Sequence, residues 1–209
     1  SEFTAKDYLQ DFHAISNLML NELNYDDWID IYLRLVGWEL ELDAHPDLGL
    51  RQTLNDQKRE ANREFCKFVE KYYQSWIKNI SDENTPALSN QIAEKYVLNH
   101  LTKSENPVFF FVLDCLRLDQ WMVMEKHLID YFKIEKDYYY SILPTATPYA
   151  RNVLFSGLFP IEIEKYYPQL WQNDDDEKSM NKYEKELLQL LLDRKRVKLK
   201  NELKYIKII

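Results

Sequence analysis

The sequence predicts a mixed architecture, a helical bundle in the first half followed by the first part of a parallel α/β sheet. Three observations predict it. Glycine occurs only three times in 209 residues, and a chain so poor in the residue that supplies tight turns and left-handed backbone favours long helices. Over roughly the first hundred residues, apolar side chains recur at helical spacing. Beyond Asn106-Pro107, short runs rich in β-branched and aromatic residues alternate with amphipathic stretches. Strand, helix, strand, helix is the order of a parallel sheet.

Ser1-Glu2-Phe3 reads as a cloning remnant, and residues 4–103 as one helical segment. Trp28, Ile31/Tyr32 and Leu35 recur at i, i+3/4, i+7, and Phe65, Phe68/Val69, Tyr72 and Trp76 repeat the pattern. His45-Pro46-Asp47 breaks between these helices, because proline disfavours helix in the residue before it. Ser81 to Pro86 reads as a second loop, with Pro86 placed to open the next helix. His13, His45 and His100 each lack a second ligand at the i+3 or i+4 spacing of a helical metal site, so they read as surface or satisfied histidines.

Residues 104–209 carry the predicted sheet. Val108 to Leu113 is apolar at every position, which suits a strand covered on both faces. Gln120 to Phe132 reads as an amphipathic helix, Asp137 to Leu143 as a second strand, and Pro144 to Phe159 as a turn and a helix opening at Pro148. Gln172 to Ser179 is a polar insertion with four consecutive acids, Asp174 to Glu177, of the kind found in solvated loops. Residues 184–209 hold eight Lys/Arg and four Asp/Glu, a balance of +4 interspersed with leucines, so a helix with a solvated basic face is expected there. Tyr205 to Ile209 reads as a third strand. A sheet that stops at a strand reads as the front part of an incomplete domain, and neither end reads as a natural terminus.

Composition narrows the function. With 45 % hydrophobic and 30 % charged residues the chain has the material for a packed core. Gly37, Gly49 and Gly157 lie too far apart for a phosphate-cradling loop or a dinucleotide fingerprint. A formal charge of −8 argues against a chain built to hold duplex nucleic acid, which needs clustered Lys and Arg. Cys66 and Cys115 make no disulfide framework, and no signal peptide or long apolar run is present. The reading is a cytoplasmic, reducing setting without a membrane partner.

Two residues could carry chemistry. Asp114 sits where the first predicted strand ends, and ligands of open α/β sheets gather beyond the carboxyl ends of strands. It suits a metal ligand, or a cap for the helix that follows. Thr147 precedes Pro148 after the second predicted strand. It reads either as an N-cap or as a nucleophile whose hydroxyl lies in the field of a helix N-terminus, which favours phosphate. Cys115 and Arg117 stand too close for a thiol-phosphatase loop. Asp114-Cys115-Leu116 lacks the second Asp of an aspartyl-phosphate hydrolase, so Cys115 reads as a small buried side chain beside the site.

The segment from Pro144-Thr145-Ala146-Thr147-Pro148 to Ser156-Gly157-Leu158-Phe159-Pro160 resembles the nucleophile region of the alkaline phosphatase superfamily. Val112-Leu113-Asp114 is similar to that superfamily's first metal-ligand strand, and the 33-residue gap from Asp114 to Thr147 is familiar there. The wording Val112-Leu113-Asp114-Cys115-Leu116-Arg117-Leu118-Asp119-Gln120-Trp121 looks like the PglZ branch, and more closely like the PorX-type response regulators of Bacteroidetes. Those join a receiver domain, a helical middle segment and a PglZ domain.

The resemblance covers essentially the whole chain. It makes residues 4–103 the middle segment and 104–209 the incomplete N-terminal part of the PglZ domain. It implies that Asp114 and Thr147 bind zinc, that two zinc ions serve the intact domain, and that Thr147 cleaves nucleotide-type phosphodiesters through a phospho-threonine. It further implies a sensor histidine kinase and other signalling proteins as partners, and a link to type IX secretion. The branch is expected to complete its site with further Asp and His residues. After Thr147 this sequence has no histidine, and His127 matches no ligand. The chain by itself is therefore expected to be inactive. The alternative is a non-catalytic signalling or dimerisation module on a degenerate hydrolase fold, with a homodimer as the expected assembly.

Overall fold

A computed structural model describes residues 5–171 and 181–208. The tripeptide read as a cloning remnant, the acidic insertion at Gln172 to Ser179, and Ile209 lie outside the described residues. The α-helices among the described residues are α1 (Ala5–Leu18), α2 (Tyr25–Ala44), α3 (Arg51–Lys78), α4 (Asn99–Lys103), α5 (Leu118–Leu128), α6 (Thr147–Ser156), α7 (Pro160–Tyr166) and α8 (Glu184–Arg194). The chain divides into two compact units. One runs through Thr85 and takes in Cys115–Lys136; the other is Pro86–Asp114 with the chain from Asp137 onward.

The first unit is helical, as expected for the first half of the chain, although residues 86–103 of the segment read as one helical piece belong to the other unit. The helix boundaries of the first unit follow from local chemistry. Asn24 caps α2 by accepting the Asp26 and Asp27 amides, each at 2.9 Å, while the Asp27 carboxylate accepts the Asn24 amide at 2.8 Å. This reciprocal box satisfies amides that the first turn leaves without partners. The predicted break at His45-Pro46 is a 3-10 turn, Pro46–Leu48, closed by Gly49 in the left-handed region. Trp28, Ile31 and Leu35 are buried with Tyr8, Ile15, Leu42 and Leu54, whereas Tyr32 is 55 % exposed. The apolar stripe therefore runs through Ile31. Phe65 packs edge-on against Trp28 at 5.5 Å. Asp11 ties α1 to α2, its carboxylate accepting from Arg34 Nε at 3.3 Å and from Trp38 Nε1 at 2.5 Å. The predicted helix after Asp114 forms as α5, but it packs on α2 within this unit, and none of its residues is fully buried.

In the second unit α6 packs on α8 around Val153, Phe155, Leu187, Leu188, Leu191 and Leu192. Ahead of them lie a 3-10 turn, Ser89–Gln91, and a π-helix, Ala93–Leu98. Helical structure thus starts three residues beyond Pro86. Here the expected sheet needs correction. The stretches read as strands form no helix, and the described residues make one isolated parallel bridge, Leu88 to Tyr140, and no ladder. The Tyr140 amide donates to the Ala87 carbonyl at 2.9 Å and the Ile142 amide to Ser89 Oγ at 3.0 Å, so a hydroxyl replaces the next ladder bond.

Burial explains why extended backbone persists without a ladder. Phe110 and Val112 pack on the helical core, as do Leu203 and Tyr205, and Phe110 and Tyr205 both meet Phe155, at 5.8 and 6.3 Å. Their alternate neighbours face out: Phe109 is 77 % and Phe111 78 % exposed, with Ile206 and Ile208 also bare. The runs are covered on one face, not two.

Gly157 closes α6 at φ 67°, and a Cβ added there would sit 3.0 Å from Leu191 Cδ1 on α8. Backbone and packing both demand glycine. Gly157→Ala is expected to cost about 2 kcal/mol, from the left-handed penalty plus the displaced leucine, seen as a fall in the urea midpoint. An unchanged midpoint would show that the α6–α8 contact relaxes freely. Among the described residues no helix is long and apolar enough to cross a membrane.

Candidate functional site

The site lies in the second unit. Asp114 ends the extended segment that starts beside Pro107 and enters a two-residue turn with Cys115. Cys115 has φ 58°, a conformation that costs an L-residue free energy and is frequent at functional turns. It is exposed, contrary to the buried position expected for it. Asp114 does not cap the next helix, because α5 begins at Leu118 with Arg117 in the cap position.

Thr147 is the first residue of α6, with Ala146 in the cap position and Pro148 one residue on. The Thr-Pro pair is therefore shifted one residue into the helix. The hydroxyl is half-buried at the positive end of the helix and is not consumed as a cap. One turn along the same face is Arg151, since residues four apart are neighbours on a helix.

Arg151 connects the parts. Its Nη1 lies 3.4 Å from the Asp114 carboxylate and its Nη2 lies 2.7 Å from Glu184 Oε2. Glu184, the first residue of α8, has a fully buried side chain, and the Tyr205 hydroxyl donates to the same oxygen. Burial first, and then this bond and the Glu184 charge, push the Tyr205 phenol up to about 12. The guanidinium on α6 thus joins the turn at Asp114 to Glu184 at the start of α8. Glu184 Oε1 and Arg151 Nε are buried without hydrogen-bond partners, so the cluster is polar and incompletely satisfied.

The sequence reading named Asp114 and Thr147 and gave Arg151 no role. It missed Glu184 and Tyr205. A signal for Glu184 was present: it occupies i in the series i, i+3, i+4, i+7, i+8 with Leu187, Leu188, Leu191 and Leu192. A carboxylate on a buried stripe requires a partner.

The donor set can be tested against the zinc expected from the sequence. Among the described residues no three His, Cys, Asp or Glu side chains stand close enough to hold a metal ion. Asp114 and Thr147 offer two oxygen ligands, and catalytic zinc takes three protein ligands, usually with nitrogen or sulfur among them. Arg151 already neutralises part of the Asp114 charge. These residues alone do not fit a complete zinc centre.

Against known protein families, residues 1–77 match the model described as PorX response regulator linker domain. Residues 92–207 match the model described as BREX system PglZ alkaline phosphatase-like domain. No curated protein matches the chain.

Proposed function

Because the chain belongs to the PglZ alkaline phosphatase-like family and carries a PorX-type regulator linker ahead of it, we propose that it is the linker and phosphoesterase part of a two-component response regulator. In this reading Thr147 Oγ1 gives up its proton and bonds to phosphorus as one alcohol of the diester departs protonated, and water then cleaves the threonine–phosphorus ester to release a phosphomonoester and restore the hydroxyl. Nucleotide-type phosphodiesters are the substrate class, a sensor histidine kinase acts upstream, and the output bears on type IX secretion.

The observation that supports this reading is the Arg151 bridge. It ties the Asp114 carboxylate to α6, the helix whose first residue is Thr147 and whose cap position is taken by Ala146. An alkaline phosphatase-like domain suggests metal dependence in general. Zinc in particular, with Asp114 and Thr147 among its ligands, is part of the proposal and requires further ligands beyond the described residues.

The test is hydrolysis of bis(p-nitrophenyl) phosphate, with zinc or with a chelator, by the full-length regulator and by the chain alone. The reading expects zinc-dependent turnover by the regulator and none by the chain. A regulator that binds zinc but cleaves no phosphodiester, cyclic dinucleotides included, would remove the enzyme. The alternative, a non-catalytic interaction module that forms a homodimer, would then stand. One observation favours that alternative: Phe109 and Phe111 stack at 6.2 Å on the outer face of their segment, both largely exposed.

A further inference from the structure

The helical unit holds a pocket that plays no part in the phosphoesterase reading. It has a volume of about 480 Å3 and is lined by Glu22 ahead of α2, by Tyr25 and Asp26 at the start of α2, and by Phe68, Tyr72 and Trp76 from α3. The three α3 residues stand at i, i+4 and i+8, so their rings share one helix face. Phe68 lies 5.1 Å from Tyr72 and 5.5 Å from Trp76, and Tyr72 and Trp76 are stacked at 6.5 Å. Trp76 is buried and forms the floor. Two carboxylates, Glu22 and Asp26, border this aromatic surface.

The faces of aromatic rings attract cations, and nearby carboxylates strengthen the attraction. The chain already uses this chemistry at the rim. Lys71 Nζ lies 2.7 Å from Glu22 and 4.9 Å from the Tyr72 ring centroid. The Tyr72 hydroxyl donates to the same Glu22 oxygen at 2.8 Å. One internal cation faces two carboxylates, and no described Lys, Arg or His pairs with Asp26. The pocket therefore carries an unbalanced negative charge beside three aromatic side chains.

We propose that this pocket binds a lysine or arginine side chain presented by a partner polypeptide, with Asp26 and Glu22 receiving the charged head and Phe68, Tyr72 and Trp76 packing its aliphatic stem. The occupant follows from shape and charge together. A compact ammonium ion leaves most of the volume unfilled, whereas a long basic side chain covers the rings and still places its head among the carboxylates. Lys71 acts as the resident competitor for Glu22.

Calorimetric titration of the chain with acetyl-Gly-Arg-Gly-amide, beside the neutral isostere carrying citrulline, tests this. The arginine peptide is expected to bind about fivefold tighter than the citrulline peptide, the gain of a modest cation–π and carboxylate contact. Asp26→Asn should weaken it about threefold, and Lys71→Met should tighten it by a similar factor by freeing Glu22. Both positions are exposed, and a folding defect cannot shift affinity in opposite directions. Equal affinity for the two peptides, or weaker binding by Lys71→Met, would overturn the proposal. Tetramethylammonium binding more tightly than the arginine peptide would overturn the polypeptide occupant. None of these outcomes depends on phosphoesterase activity.

Discussion

Thr147→Ala in the full-length regulator is expected to lower phosphodiester turnover by about three orders of magnitude or more, with thermal stability nearly unchanged. The two halves of that expectation have separate origins. The rate falls because removing a covalent nucleophile removes the reaction path, a loss that runs from about 10³-fold upward in hydrolases. Stability holds because Thr147 lies inside the first turn of α6 and Ala146 occupies the cap position without a side-chain bond. Had Thr147 been the cap, its removal would have cost about 1 kcal/mol. Alanine is also a better helix former. Thr147→Ser keeps a hydroxyl at the same point and should retain partial activity, with a serine-linked phosphoryl ester detectable by mass on a slowly released substrate. Full activity in Thr147→Ala would eliminate the nucleophile assignment. Loss of activity with a fall in melting temperature of more than a few degrees would point to a structural role instead.

How far the sequence exposed this arrangement depends on whether each feature rests on local or distant partners. The helical unit was readable because its signals are local. Trp28, Ile31 and Leu35 repeat at helical spacing, and Pro46 stops α2 wherever the rest of the chain lies. The sheet was not readable in the same way. Val108 to Leu113 is apolar throughout, but whether such a run is covered on both faces is decided by elements elsewhere, and here Phe110 and Val112 pack on the core while Phe109 and Phe111 lie exposed. Likewise the amphipathic pattern of α5 gave a helix without saying that it packs on α2.

The site divides along the same line. Asp114 and Thr147 could be singled out by their places after apolar runs, and Arg151 lies one helical turn from Thr147. That this arginine reaches Asp114 requires knowing that segments 37 residues apart meet. Glu184 was detectable as a charge on an apolar stripe, yet its partners, 33 residues before it and 21 after, were not.

Glu184→Ala is expected to destabilise the second unit by about 3 kcal/mol. The carboxylate is fully buried and accepts from both Arg151 Nη2 and the Tyr205 hydroxyl. Its removal strands a guanidinium whose side chain is only 19 % exposed. Breaking a buried pair from one side costs about 3–5 kcal/mol. The lower end applies because Arg151 keeps Asp114 and some solvent. Hydrogen exchange of the α6 and α8 amides reads this unit directly, and their protection should fall by about two orders of magnitude. The double variant Glu184→Leu with Arg151→Leu removes both charges and fills part of the space. It should recover much of the loss, because an ion pair replaced as a whole by apolar groups is often close to neutral. If the double variant is as unstable as the sum of the single ones, the pair is not coupled, and Arg151 does not transmit the position of α8 to Asp114. If it recovers stability while the regulator loses phosphodiester turnover, the network serves to hold Asp114 against α6, and stability and catalysis are separable at one pair of side chains.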